Sequence, residues 1–545
     1  MVSDLLLTGQ RIFTGLTDAP GPGAVFVCDG VIAATGAEAL KRGQAAGVEH
    51  RDAGTGLISA SFTDAHIHPV FGGLQLITCH LGGDDAATES GYLDIVERYS
   101  RDHPELEWIT GGGWAMPVFP GGTPTRQALD AVVPDRPVYL INRDAHGAWV
   151  NTEALRRAGI DATTPDPDDG VIEREPDGFP SGTLHEGAAS LVARMLPPVS
   201  DDTALRALLV AQEALFALGV TAWQDAIIGE YLGQPDTAGP YQRAVETGAL
   251  RAKVVGALWW DRRRGAEQIA DLVERRSSLS AGRFQATTVK MMLDGVAENF
   301  TASMIEPYLH RCGHEHPTGV DFVDPAALAG YLRELDRLGF QVHFHALGDG
   351  AVRSALDALQ ALRESGTDGT NRHHLAHLQV VHPDDIARFA EVGAAANLQA
   401  LWAAHDDQVD ELVIPFLGPE RDAMQYPFRS LVDAGTRIGA GSDWPVSDAN
   451  PIAAIHTAVN RNHRGSLKPD FHPEQRLTLA QMWRAYTSGS AYLNHAEDRT
   501  GTIEVGKQAD LVVLDRDPFA APTEEIADAR VVTTYLDGEV VYAST

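Results

Sequence analysis

The sequence predicts an α/β protein: a (β/α)8 TIM barrel with a small β-sandwich built from both termini and an inserted α/β subdomain after the first barrel strand. Three observations point there. The middle of the 545-residue chain alternates strand-like and helix-like text, while both ends hold only short strands and turns. About 150 residues separate the first two barrel strands, far beyond an ordinary βα loop.

The N-terminal strands are DLLLTGQRIFTG, GAVFVCDGVIAATG with an Asp29-Gly30 hairpin signal, and GLISASF. The C-terminal ones are QADLVVLDRD and ARVVTTYLDGEVVY with Asp537-Gly538. Neither end can bury a sheet alone, so the two are expected to pair, giving a sandwich of residues 1–60 and 485–545. Barrel strands are expected in SFTDAHIH (61–68), GVTAWQDA (219–226), RAKVVGALWW (251–260), TTVKMMLDG (287–295), FQVHFHALGD (340–349), HHLAHLQVV (373–381), AAANLQALW (394–402) and RIGAGSDWPV (437–446). Helices between them show 3.6-residue periodicity, as in Leu328, Tyr331, Leu332, Leu335 and Leu338. The barrel is therefore placed at 61–484. A doubly wound open sheet is the alternative, but no GxGxxG turn follows the first strand. Residues 72–215 are assigned to an inserted lid over the barrel mouth, since RPVYLINRDAHGAWV reads as strand, TTPDPDDG as loop and HEGAASLVARML as helix.

Charge narrows the partners. With 43 basic and 75 acidic residues the net charge is -32, which disfavours nucleic acid and anionic membrane. Cys28, Cys79 and Cys312 are odd in number and lack CxxC spacing, so no disulfide framework is expected. MVSDLLLTGQRIF has no signal-peptide pattern, and no apolar run approaches the ~18 residues of a membrane span. A cytoplasmic protein is the expectation.

His66-Ile67-His68 alternates along a strand, so both imidazoles face one side within reach of a single ion. With 21 histidines about 0.8 HxH pairs arise by chance, and 314/316 and 343/345 are two more, so the spacing alone is weak. Position adds weight, because barrel active sites sit at the C-terminal ends of strands. His345 and His377 lie on later strands, and Asp443 ends the last in GAGSDWP. Each has a plain reading as a hydrogen-bonded core histidine or an Asx cap. Together they form the donor set of a catalytic zinc-type ion. Lys290 interrupts the apolar text of TTVKMMLDG, where a buried ammonium is costly unless paired or neutralised; a lysine reaching the rim is the alternative.

HIHP, VKMMLDG, VHFHALGDGAV, HLAHLQVVHPDDI, YPFRSLVDAGTRIGAGSDWPV and TGTIEVGKQADLVVLD resemble, in order, the amidohydrolase superfamily in its amidohydrolase 3 (YtcJ-like) branch, which includes N-substituted formamide deformylase. The resemblance spans nearly the whole chain. It implies His66 and His68 as ligands of one ion, His345 and His377 as ligands of a second, and Asp443 as ligand and proton carrier. It also implies a carboxylated Lys290 bridging both ions. Two departures stand out: Ala376 takes the place of a usual glutamate before His377, and His343 that of a small apolar residue.

The resemblance implies hydrolysis of a non-peptide carbon–nitrogen bond, in an amide, N-formyl or cyclic amide, with Asp443, Lys290 and His377 at the chemistry. Two Zn2+ are expected; imidazole and carboxylate tolerate Fe2+ or Mn2+ as well. Ester or phosphoester hydrolysis, isomerisation or decarboxylation on the same barrel, and an inactive binding module, are the competing readings. Trp114, Phe119, Asp144, His146, His343, Trp402 and Trp444 are candidate pocket residues, the aromatic ones equally explicable as lid packing. Expected partners are a small amide-type substrate and at most a second copy in a homodimer, with neither nucleic acid nor membrane.

Overall fold

The computed structural model describes residues 4–45, 47–82, 88–231, 235–309, 316–367 and 369–544; Cys312 and His314 lie outside them. Its centre is an eight-stranded parallel sheet. In chain order the strands are β1 (Phe62–Ile67), β2 (Val220–Ile228), β3 (Lys253–Trp259), β4 (Phe284–Met292), β5 (Gln341–Ala346), β6 (His374–His377), β7 (Ala395–Leu398) and β8 (Arg437–Ala440). Every expected barrel strand is present. β1, β2, β5, β6 and β7 are buried throughout, as strands covered by helices outside and filled within must be.

The hydrogen-bond ladder runs from β8 through to β1, and other bonds cross the remaining seam. The Asp443 amide donates to the His66 carbonyl at 2.7 Å, Ser442 N–H donates to the Asp64 carboxylate at 3.0 Å, and Asn397 Nδ2 donates to the Ala65 carbonyl at 2.8 Å. Gly441 is needed there, because a Cβ would lie 2.5 Å from His66 N.

Both termini join one further sheet of eight strands. Its order is Glu539–Ala543, Val531–Leu536, Leu511–Leu514, Leu57–Ala60, Leu5–Phe13, Gly21–Cys28 and Val31–Thr35, with Glu49–Asp52 pairing beside Leu5–Phe13. Alternation along its strands separates Leu5, Leu7, Val25 and Val27 on one face from Leu6, Ala24 and Phe26 on the other. Residues 485–494, expected with this sheet, instead close the barrel floor: Ala485 and Tyr486 enter the main core, and Leu493 packs on Ala65 and Ala395.

The insertion after β1 builds a six-stranded sheet between Cys79 and Glu186, ordered Gly170–Arg174, Pro180–Glu186, Gly147–Val150, Val138–Asn142, Ile109–Trp114 and Cys79–His80. Trp114, Phe119, Leu129 and Trp149 pack in one of its apolar clusters, and Trp108, Tyr139, Leu155 and Leu184 in another. Helix Asp201–Ala217, expected within the insertion, packs into the barrel core through Ala207, Leu208, Leu215 and Phe216. It also touches helix Pro69–Ile77 so closely that a Cβ on Gly73 would meet the Ala207 carbonyl at 2.0 Å.

Candidate metal centre

β1 ends at the top of the barrel by presenting His66, and the chain turns through His68 into helix Pro69–Ile77. Their Nε2 atoms lie 3.1 and 3.0 Å from one oxygen, Asp443 Oδ1. Neither contact completes a hydrogen bond to that oxygen, which is buried. One potential ligand atom from each of His66, His68 and Asp443 fits within 4.8 Å of the others. Lys290 on β4 brings Nζ to 3.5 Å from His66 Nε2.

His345 at the end of β5 and His377 at the end of β6 complete the ring of side chains. Their imidazole centroids are 4.4 Å apart, and His377 is 4.7 Å from His66. Both nitrogens of His377 are buried and unpartnered, and Nδ1 is 3.9 Å from Asp443 Oδ2. Trp402 stacks on the His377 ring at 5.1 Å with 5° between planes, supporting it where Ala376 offers no side-chain acceptor. His345 Nε2 lies 3.3 Å from the Gly295 carbonyl.

Asp443 and His377 occupy left-handed backbone, with φ of 57° and 78°. Such conformations cost on the order of 1–3 kcal/mol each and persist where surrounding contacts over-determine them. Here the Asp443 amide is held by His66 and the His377 amide by Gln399 Oε1 at 2.7 Å.

Burial sets the protonation states. It pushes His66 down to about 3, with the Lys290 charge acting in the same direction, and drives His345 and His377 well below the usual imidazole range. Lys290, 3% exposed, falls to about 7 through burial. Burial alone would raise Asp443, but His66 and His68 hold it well below the usual carboxylate value. Imidazole nitrogens beside a carboxylate are the donor types that bind a divalent cation.

The chain matches the model of the amidohydrolase family (Amidohydro_3) over residues 49–542. The chain belongs to that family. Membership makes it a hydrolase of carbon–nitrogen bonds. It is 29% identical to the protein YtcJ of Bacillus subtilis, covering 98% of each chain. To N-substituted formamide deformylase of Arthrobacter pascens it is 28% identical, over 96% of this chain and 95% of the relative. Its fold matches a metal-dependent hydrolase from Pyrococcus horikoshii at TM-score 0.73 and 23% identity, covering 96% and 99% of the two chains.

A cavity of about 900 Å³ opens above the amidohydrolase's centre, and His66, His68, Lys290, His345, His377 and Asp443 all line it. Of the expected pocket residues, Asp144, His146, Trp402 and Trp444 line it too. Trp114 and Phe119 do not. They pack edge-to-face against each other and against Trp149 inside the insertion, and Trp114 Nε1 donates to the Leu140 carbonyl at 2.9 Å. His343 is also absent from the wall: it lies fully buried beneath His66.

Sequence reasoning missed Phe71, Ile227, Tyr231 and Trp259, which form an apolar part of the wall, and Glu298 in a polar part. It also missed Glu186, whose Oε1 meets His146 Nδ1 at 2.8 Å. The one available signal was an acidic residue inside the strand text GTLHEG. Among the described residues no helix is long and apolar enough to cross a membrane, and Cys28 and Cys79 are free thiols.

Proposed function

We propose that the centre is binuclear, with His66, His68 and Asp443 on one ion, His345 and His377 on the other, and Lys290 carboxylated between them. The substrate is a small N-substituted amide, N-formyl amines included. The observation that carries this reading is the convergence of His66 and His68 Nε2 on one Asp443 oxygen without a hydrogen bond, beside the bare nitrogens of His377. Buried lone pairs around an ionised carboxylate fit Zn2+, with Fe2+ or Mn2+ accepted by the same donors.

Carboxylation removes the penalty of a buried ammonium: the Lys290 amine attacks CO2, loses a proton and becomes a carbamate. Divalent ions held by these residues would polarise the substrate carbonyl and acidify a water. Asp443 accepts the proton of the attacking water and passes it to the departing nitrogen. Its carboxylate is aimed for this by the strained backbone and the His66 carbonyl. Phe71, Ile227, Tyr231 and Trp259 receive the apolar substituent and keep bulk water away. The relative named as a formamide deformylase supports the amide class. The free thiols and acidic charge suit a cytoplasmic enzyme.

The test is a hydrolysis panel on metal-loaded protein spanning N-formyl amines, aryl amides, cyclic amides, esters and phosphoesters, with metal content measured in parallel. Turnover of N-substituted amides is expected. Turnover of phosphoesters alone would sink the amide assignment, about one divalent ion per chain would sink the binuclear centre, and less than that would sink the metal centre itself.

A further inference from the structure

Below the metal centre the barrel interior is polar rather than aliphatic, and its hydrogen bonds form a single chain of fixed direction. The chain begins at the floor. Gln341 Nε2 contacts two backbone carbonyls, of Arg372 at 2.9 Å and Leu493 at 2.8 Å, which can only accept. Gln341 must therefore donate with Nε2 and accept with Oε1. Thr288 Oγ1 donates to that oxygen at 2.9 Å, and Gln224 Nε2 at 3.0 Å. Gln224 spends its other N–H on Asn494 Oδ1 at 3.1 Å, so its own oxygen faces upward.

That oxygen lies 2.6 Å from His343 Nδ1, which must carry the proton. His343 Nε2 then accepts, and its neighbour at 2.8 Å is His66 Nδ1. The His66 proton is thereby placed on Nδ1, and its Nε2 lone pair is left facing Asp443 and Lys290. Each member of this chain is fully or almost fully buried, so no bulk water competes for these bonds and a reversed direction would leave an unsatisfied buried group.

We propose that His343 is a positioning residue: suspended from the barrel floor through Gln224 and Gln341, it fixes the ring and tautomer of His66 so that Nε2 is the ligand atom. The chain replaces the carbonyl or carboxylate partner that a metal-binding histidine ordinarily uses for its second nitrogen. This rests on the metal-centre reading, and the experiment separates the two.

Full-length protein is prepared metal-free as wild type, His343→Phe and Gln224→Met. Zinc affinity is measured by competition with a chromogenic chelator, together with thermal melts and [15N]histidine spectra in which His66 is assigned by its loss in His66→Ala. Phenylalanine fills the ring volume without a nitrogen, so a packing role alone would leave affinity unchanged. The expected result is His66 protonated on Nδ1 in the wild type and a fall of about 10–100-fold in zinc affinity for His343→Phe, with Gln224→Met between. The inference is overturned if wild-type His66 carries its proton on Nε2, or if both variants bind zinc within about threefold of wild type. Should His343→Phe fail to fold, the tautomer and Gln224→Met decide. Wild-type protein that binds no zinc would remove the metal centre, while the tautomer would still decide the positioning role.

Discussion

Asp443 meets His66 at two places: its backbone amide donates to the His66 carbonyl at 2.7 Å, and its Oδ1 sits 3.1 Å from His66 Nε2 without a hydrogen bond. The first and last barrel strands are thus tied at the two residues whose side chains define the centre.

Replacing Asp443 by Asn keeps the amide tie and an oxygen donor but removes the proton acceptor. Metal content should stay near wild type, while kcat falls by about 10²–10⁴-fold. Elemental analysis and steady-state kinetics check both, and near-normal turnover would remove Asp443 from proton transfer.

Lys290→Ala removes the bridge of the proposed carbamate. Metal content should drop from about two ions per chain to about one, read by elemental analysis after dialysis. An unchanged stoichiometry would show that the lysine bridges nothing.

Trp402 lies flat on His377, whose ring nitrogens have no hydrogen-bond partner. Trp402→Ala should weaken one of the two metal sites by the ~0.5–1.5 kcal/mol of a stacked ring pair, about 2- to 12-fold in affinity. Two-phase chelator competition resolves the sites, and equal loss at both would contradict the assignment.

Trp114→Ala should behave as a core truncation, costing about 3–5 kcal/mol in stability of the insertion while the folded enzyme keeps its KM. Denaturant unfolding and kinetics below the transition test this. A large rise in KM at unchanged stability would put Trp114 back in the pocket.

Asp336 accepts from His373 Nε2 at 3.0 Å and from Asn371, tying helix Pro325–Arg337 to the start of β6. Burial opposes its ionisation, but His373, Asn371 and Thr367 outweigh it and bring the carboxyl down to about 2. Because this value lies below that of the unfolded chain, the tie stabilises above about pH 4 and is lost as pH falls towards 2. Wild type should therefore lose stability over that window more steeply than Asp336→Asn in acid unfolding. Parallel curves would exclude the tie.

Much of this was legible because both periodicities are strong. The alternation in SFTDAHIH puts His66 and His68 on one face and the helical spacing in 328–338 gives that helix its apolar side, while the wider set of proposed ligands follows from the resemblance to the family. Depth along a strand was not legible. His343 and His345 share a face, yet two residues of strand rise about 6–7 Å, enough to move His343 from the cavity wall to the layer beneath His66. Nor could Trp114 and Phe119 be told from lining residues, since an aromatic in an inserted sheet serves either role until the sheet's partner strands are known. Residues 485–494 read as part of the terminal sheet because position in the chain says nothing of which layer a short helix seals.

The contact of Gly73 with the Ala207 carbonyl has a consequence for how such enzymes diversify. The outgoing and returning helices of the insertion already touch each other on the barrel wall. The whole intervening cap could be exchanged for another as one cassette, leaving the catalytic floor unaltered, so new substrate ranges are open to this scaffold without rebuilding the barrel.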